Sequence, residues 1–135
     1  MSLHDLYRTY QNRIQFLAIY IREAHPKDGW WLGGGVTGLA LKLSGTKAAF
    51  DVYNPKTMNE RRQVAQRCKM ALDFDMPILV DDIEDPVNKT YAALPTRMYL
   101  VDEDGRIVYA GDLGPFGFKP QELKIAIEQL LAVDE

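Results

Sequence analysis

The chain has 135 residues, 47% of them hydrophobic and 26% charged, with a formal net charge of −3. That length suits one domain with a core of its own, and the composition is that of an ordinary globular protein. The acidic balance, with no basic run beyond Arg61-Arg62, excludes the usual electrostatic basis for nucleic-acid binding, and no apolar stretch approaches the roughly 18 residues of a membrane span.

Cys68 is the sole cysteine. It rules out an internal disulfide framework and any CxxC or zinc cluster, and it favours a reducing compartment, so a cytoplasmic location is expected. Met1 to Ile14 is polar and helical in pattern, not a signal peptide.

Leu3 to Gln11 reads as a helix, with Leu3, Leu6, Tyr7 and Tyr10 on one face and no clear N-terminal cap. Phe16 to Ile21 reads as a buried strand, because a short apolar run rich in β-branched and aromatic residues suits a sheet covered on both faces. Glu23 and His25 follow at its carboxyl end, where ligands collect in open α/β sheets, and Pro26, Asp28 and Gly29 break the strand. Residues 24–57 are irregular, punctuated by Gly33-Gly34-Gly35, Gly38, Gly45 and Pro55; a connection this long is usually functional or mobile. Leu39 to Leu43 and Ala48 to Tyr53 are the short regular pieces expected within it.

Thr57 to Leu72 reads as a helix, with Thr57 and Glu60 in a capping-box pattern and Val64, Ala65, Cys68 and Leu72 as its apolar stripe. Ile78 to Val80 is a second buried strand. Asp85-Pro86 reads as a cap followed by proline at the first helical position, and that helix runs to about Ala92. Thr96 to Val101 is a third strand, Glu103-Asp104-Gly105 a hairpin turn and Arg106 to Ala110 a fourth strand. Pro120 to Leu131 forms the last helix, with Leu123, Ile127, Leu130 and Leu131 inward.

This order resembles the thioredoxin fold: an α/β, three-layer sandwich with a central mixed sheet, in one domain over residues 1–135 with an insertion at about 32–53. Leu94-Pro95-Thr96 precedes the strand that opens the hairpin. In thioredoxin-like proteins an apolar-Pro-Thr at that place carries a cis peptide bond, which exposes backbone where a substrate chain pairs. Cis is seen in only about 5–6% of X–Pro bonds; an ordinary trans proline starting a strand is the alternative.

Three segments go further. IYIREAHPKDGW (19–30), ILVDDIEDPVNKTYAALPTRMYLV (78–101) and GRIVYAGDLGPFGFKPQEL (105–123) closely resemble the iodothyronine deiodinase family. The resemblance implies a peroxiredoxin-type thioredoxin fold and reductive removal of iodine from thyroid hormone by a selenocysteine or cysteine. It places that nucleophile just upstream of Met1. The expectation is therefore a chain that lacks the family's first strand, part of its first core helix and its redox residue. Either a start added for expression or a selenocysteine codon read as stop leads to this.

The resemblance assigns proton handling to Glu23 and His25. Histidine donates a proton near neutral pH, and a nearby glutamate raises its pKa. Two residues apart, they share one face of a continuing strand; from spacing alone, a satisfied histidine at a polar strand end is the better reading. Trp30 offers an apolar ring for an aromatic substrate or for core packing. Pro95 and Arg97 are implied substrate residues, a guanidinium suiting a carboxylate or phenolate; the bland alternative for Arg97 is a surface ion pair with Asp81 or Asp82. Asp81 matches a family aspartate, within an acidic run that otherwise reads as a solvated turn with a helix cap. No metal site and no bound cofactor are expected. Cys68 reads as a buried inert thiol, and the triple glycine lacks the pattern of a P-loop or dinucleotide fingerprint.

Two departures from the family stand out. Asn54-Pro55-Lys56-Thr57 replaces a segment that usually holds a hormone-binding histidine, and the insertion is long. The leading function is thus a deiodinase-like thiol or selenol oxidoreductase, inactive as this chain, with a small iodinated or other aromatic substrate and an external thiol reductant. The alternatives are a peroxiredoxin-like thiol peroxidase or disulfide oxidoreductase and a non-catalytic thioredoxin-like binding module. An uncovered sheet edge points to a homodimer.

Overall fold

A computed structural model describes residues 1–23 and 53–133. They fall into two compact units, Met1–Phe16 with Ala92–Glu135, and Leu17–Tyr91. The expected piece at 39–43, all but Tyr53 of the one at 48–53, the glycine triplet, His25 and Trp30 lie outside the described residues.

The first unit begins with α1 (Leu3–Tyr10). The sequence showed no cap, but Ser2 is one. Its hydroxyl accepts from the Asp5 N–H at 3.2 Å, and the Asp5 carboxylate accepts from the Ser2 N–H at 2.7 Å. Aspartate is shorter than the usual Glu or Gln of a capping box yet closes the same reciprocal pair. The hydrogen bonds to Ser2 hold the Asp5 carboxyl below the usual carboxylate range. Two antiparallel strands follow in this unit, β3 (Tyr99–Val101) and β4 (Ile107–Ala110), with a register shift between Leu100 and Val101. Their turn passes through Gly105 at φ 82°, and the Asp102 carboxylate steadies it by accepting from the Arg106 N–H at 2.8 Å.

The last helix of the unit, α4 (Pro120–Val133), presents Leu123 and Ile127 at i, i+4 to Leu6, Met98 and Leu100. These five are the buried core of the unit, with Leu3, Tyr10, Ile14, Phe16, Leu130 and Leu131 partly buried around it. Apolar spacing thus set the inward face of α1 and α4 as read. Tyr10 reaches across from α1 to donate to Glu128 of α4 at 3.0 Å.

The second unit holds β1 (Ala18–Tyr20), α2 (Met58–Ala71), β2 (Ile78–Val80) and α3 (Pro86–Tyr91). The strands β1 and β2 run parallel, Ala18 opposite Ile78 and Tyr20 opposite Val80. Both were expected to be buried on two faces. Instead Leu17, Ile19 and Leu79 are 55%, 41% and 52% exposed, because the side chains alternate and only one face is covered, and that one in part. The α2 helix starts as its sequence dictates, with a reciprocal capping box between Thr57 and Glu60. Val64 and Ala65 of its stripe are buried, Cys68 is half-buried and Leu72 is exposed. Parallel and antiparallel strand pairs together with helices make this a mixed α/β protein.

Candidate functional site

The second unit carries Glu23 and Asp81. Glu23 lies three residues past β1, and its carboxylate accepts a hydrogen bond from the Tyr20 hydroxyl. A strand-end tyrosine therefore fixes this carboxylate in place. Cys68 of α2 is close enough to feel its charge. Burial pushes the Cys68 thiol up first and the Glu23 carboxylate adds to it, with Arg67 acting against both. A thiol shifted that way stays protonated near neutral pH and is a poor nucleophile.

Asp81 is buried directly after β2. Its Oδ1 accepts from the N–H of Asp82 at 2.9 Å and of Val87 at 3.1 Å, and its Oδ2 from the N–H of Asn88 at 2.9 Å. Val87 and Asn88 belong to the first turn of α3, so Asp81 caps this helix from six and seven residues upstream, a placement that the helix's positive end favours. Asp85, read from sequence as the cap, has φ 58°. Its carboxylate turns away to Arg61, with Oδ1 2.8 Å from Nη1.

Arg61 was not singled out in the sequence. It is only 2% exposed, and the same Nη1 donates to the carbonyl oxygens of Asp82 at 2.6 Å and Asp81 at 3.3 Å. A buried guanidinium is tolerated when it is both ion-paired and hydrogen-bonded. The signal that finds it is spacing: Arg61 stands at i of the i, i+3, i+4 pattern completed by Val64 and Ala65, on the apolar stripe of α2. The acidic run is thus half solvated, at Asp82 and Glu84, and half buried, at Asp81 and Asp85. No group of three or more His, Cys, Asp or Glu among the described residues is arranged to hold a metal ion. A shallow cleft between α2 and β2, lined by Arg62, Ala65, Gln66, Lys69, Ile78 and Val80, contains none of the candidate residues.

The first unit carries Pro95 and Arg97. The Leu94–Pro95 bond is cis, as expected from the apolar-Pro-Thr motif, and Gly114–Pro115 is a second cis bond that the sequence reading did not anticipate. Arg97 lies two residues before β3 and is half-buried. Its Nε donates to the Gly111 carbonyl at 2.6 Å, and its guanidinium carbon lies 5.4 Å from the centre of the Tyr99 ring, in cation–π range. A backbone acceptor and an aromatic face together fix the plane of the guanidinium. The fork shape of that group matches carboxylates and phenolates.

The structure thus places Glu23 and Asp81 in one unit and Pro95 and Arg97 in the other. No helix among the described residues is long and apolar enough to cross a membrane.

The iodothyronine deiodinase family model matches residues 2–131. A type I iodothyronine deiodinase of Xenopus laevis is 31% identical over 128 residues, covering 95% of this chain and 44% of that protein. A thyroxine 5-deiodinase of Gallus gallus is 30% identical over 114 residues, covering 84% and 38%. A type II iodothyronine deiodinase of Petromyzon marinus is 28% identical over 130 residues, covering 95% and 40%. The chain spans less than half the length of these curated relatives. With a match running over nearly all of its residues, the chain belongs to the iodothyronine deiodinase family.

Proposed function

We propose that the chain carries the substrate-handling and proton-handling residues of a deiodinase-like oxidoreductase with a thioredoxin-like, single-domain fold. The observation that carries this reading is the family match along residues 2–131. The reaction is reductive dehalogenation of an iodothyronine-like aromatic. A thiolate or selenolate attacks the iodine, the carbon–iodine bond breaks toward carbon, and the aryl carbanion takes a proton. One external thiol then displaces iodide from the sulfur or selenium, forming a mixed disulfide or selenosulfide. A second thiol regenerates the nucleophile and leaves as a disulfide.

Within that scheme His25 delivers the proton and Glu23, held by Tyr20, orients it. Arg97 takes the anionic group of the substrate, with Pro95 shaping the adjacent backbone and Trp30 contributing an apolar wall. Asp81 belongs to the set through the turn it builds, since both of its oxygens already hold backbone amides. The nucleophile is not among these 135 residues. Cys68, the sole cysteine, is part-buried with a raised pKa. The exposed Leu17, Ile19 and Leu79 support a homodimer, which sedimentation equilibrium tests directly.

Iodide release from thyroxine with dithiothreitol is the decisive assay. This chain alone should release none, and Cys68→Ser should change nothing; release above the buffer rate overturns the assignment. In a longer form carrying a Cys or Sec, Glu23→Gln and His25→Asn should lower kcat with little effect on KM. Peroxide consumption by that form without iodide release would instead favour a thiol peroxidase.

A further inference from the structure

Residues 111–118 of the first unit form a loop closed by its own backbone and by the chain entering β3. The Gly111 N–H donates to the Met98 carbonyl at 2.8 Å, the Gly114 N–H to the Thr96 carbonyl at 2.9 Å, and the Gly117 N–H back to the Leu113 carbonyl at 2.9 Å. Two positions leave no room for a side chain. A Cβ on Gly114 would stand 2.2 Å from Thr96 Cγ2 and 3.7 Å from Phe118 Cβ, and one on Gly117 would stand 2.4 Å from the Asp112 carbonyl carbon. On this side the loop is packed to backbone contact.

Elsewhere the loop shows carbon to water. Phe116 is 92% exposed, with Leu113 at 46%, Phe118 at 37% and Leu94, on the neighbouring segment, at 36%. An exposed phenyl forgoes the burial that normally stabilises its area. A tightly built loop that holds one in solvent among other apolar side chains marks an interaction site. The base of the same loop holds a cation, since Arg97 Nε is bonded to the Gly111 carbonyl. A ring and a guanidinium tied to one short loop fit a molecule with an aryl group and an anionic group. Four apolar side chains fall well short of the roughly 800 Å² per partner of a stable protein interface, so the patch suits a small molecule better than a second copy.

We infer that the 113–118 loop is an aryl-binding subsite, with Phe116 as its specificity-determining contact, for an aromatic anion whose charge is taken by Arg97. This rests on the reading of Arg97 as a substrate residue and adds a residue to it.

Thyroxine, which carries aryl rings and a carboxylate, is the probe, titrated calorimetrically into the 135-residue chain. Wild type should bind it. Phe116→Ala should weaken binding about fivefold, Phe116→Trp should retain it, and Arg97→Gln should also weaken it. Val133→Ala, removing another exposed apolar side chain, should leave binding unchanged, and circular dichroism confirms that each variant is folded. Equal affinity of wild type and Phe116→Ala overturns the inference, while a weakened Arg97→Gln then leaves the reading of Arg97 standing. Absence of binding to wild type overturns both. A dimer that Phe116→Ala converts to monomer assigns the patch to a second copy and overturns the subsite.

Discussion

Arg61 and Arg97 each stand beside a turn next to a strand, one in each unit, and their surroundings differ in kind. Arg61 is almost fully buried and meets two carbonyl oxygens and a carboxylate. Arg97 is half-buried and meets one carbonyl oxygen and the face of a tyrosine. The buried guanidinium organises the turn at 81–85, and removing it would strand a buried carboxylate. Around Arg97 the backbone is shaped by glycines and the nearby apolar side chains face water. The contrast separates a charge sealed into the architecture from one left partly open to solvent. The sequence shows both simply as arginines and does not make that distinction.

The largest expected effect tests the architectural arginine. Arg61→Ala should destabilise the chain by about 3–5 kcal/mol, because Asp85 is left buried without its partner. A loss below about 1 kcal/mol in urea unfolding would place Arg61 with the surface ion pairs. Next is the glycine-shaped loop. Gly117→Ala should cost about 1–3 kcal/mol, since the added methyl overlaps backbone and no flexible side chain can yield. An unchanged midpoint would show that the loop adjusts freely.

A smaller loss, about 1 kcal/mol, is expected for Thr57→Ala at the start of α2, and Thr57→Ser should restore it. The smallest effect has the opposite sign. The Tyr109 hydroxyl is buried in the first unit without a hydrogen-bond partner among the described residues. Tyr109→Phe should therefore be neutral or stabilising by up to about 1 kcal/mol. A clear loss would reveal a partner such as an ordered water.

How much of this was legible follows from what each residue signals locally. Thr57 and Glu60 announce a helix start because both halves of the capping box are within four residues of chain. The α4 core positions Leu123 and Ile127 follow from period alone, and the cis bond at Pro95 from the apolar-Pro-Thr motif. Arg61 was missed because a pattern of apolar against polar counts it as surface, although its spacing put it on the buried stripe. The cap expected at Asp85 is supplied by Asp81 for a similar reason. A cap is sought in the residue before the helix, while here the backbone at Asp85 takes a positive φ and aims that carboxylate elsewhere. The strands β1 and β2 looked doubly covered because an apolar run does not say how many faces have neighbours. Ser2 escaped notice since its partner is Asp5, not the longer acid usually sought.

The capping of α3 by Asp81 also bears on ligand scope. A strand leading into a helix whose first amides point outward is the arrangement by which many α/β proteins seat a phosphate. Here the chain supplies its own anion to those amides, from the last step of the strand. The junction is self-saturated, so free phosphate or a nucleotide has no vacant amides to engage at Val87 and Asn88. At this junction the Asp81 carboxylate occupies the amides that a bound phosphate would need.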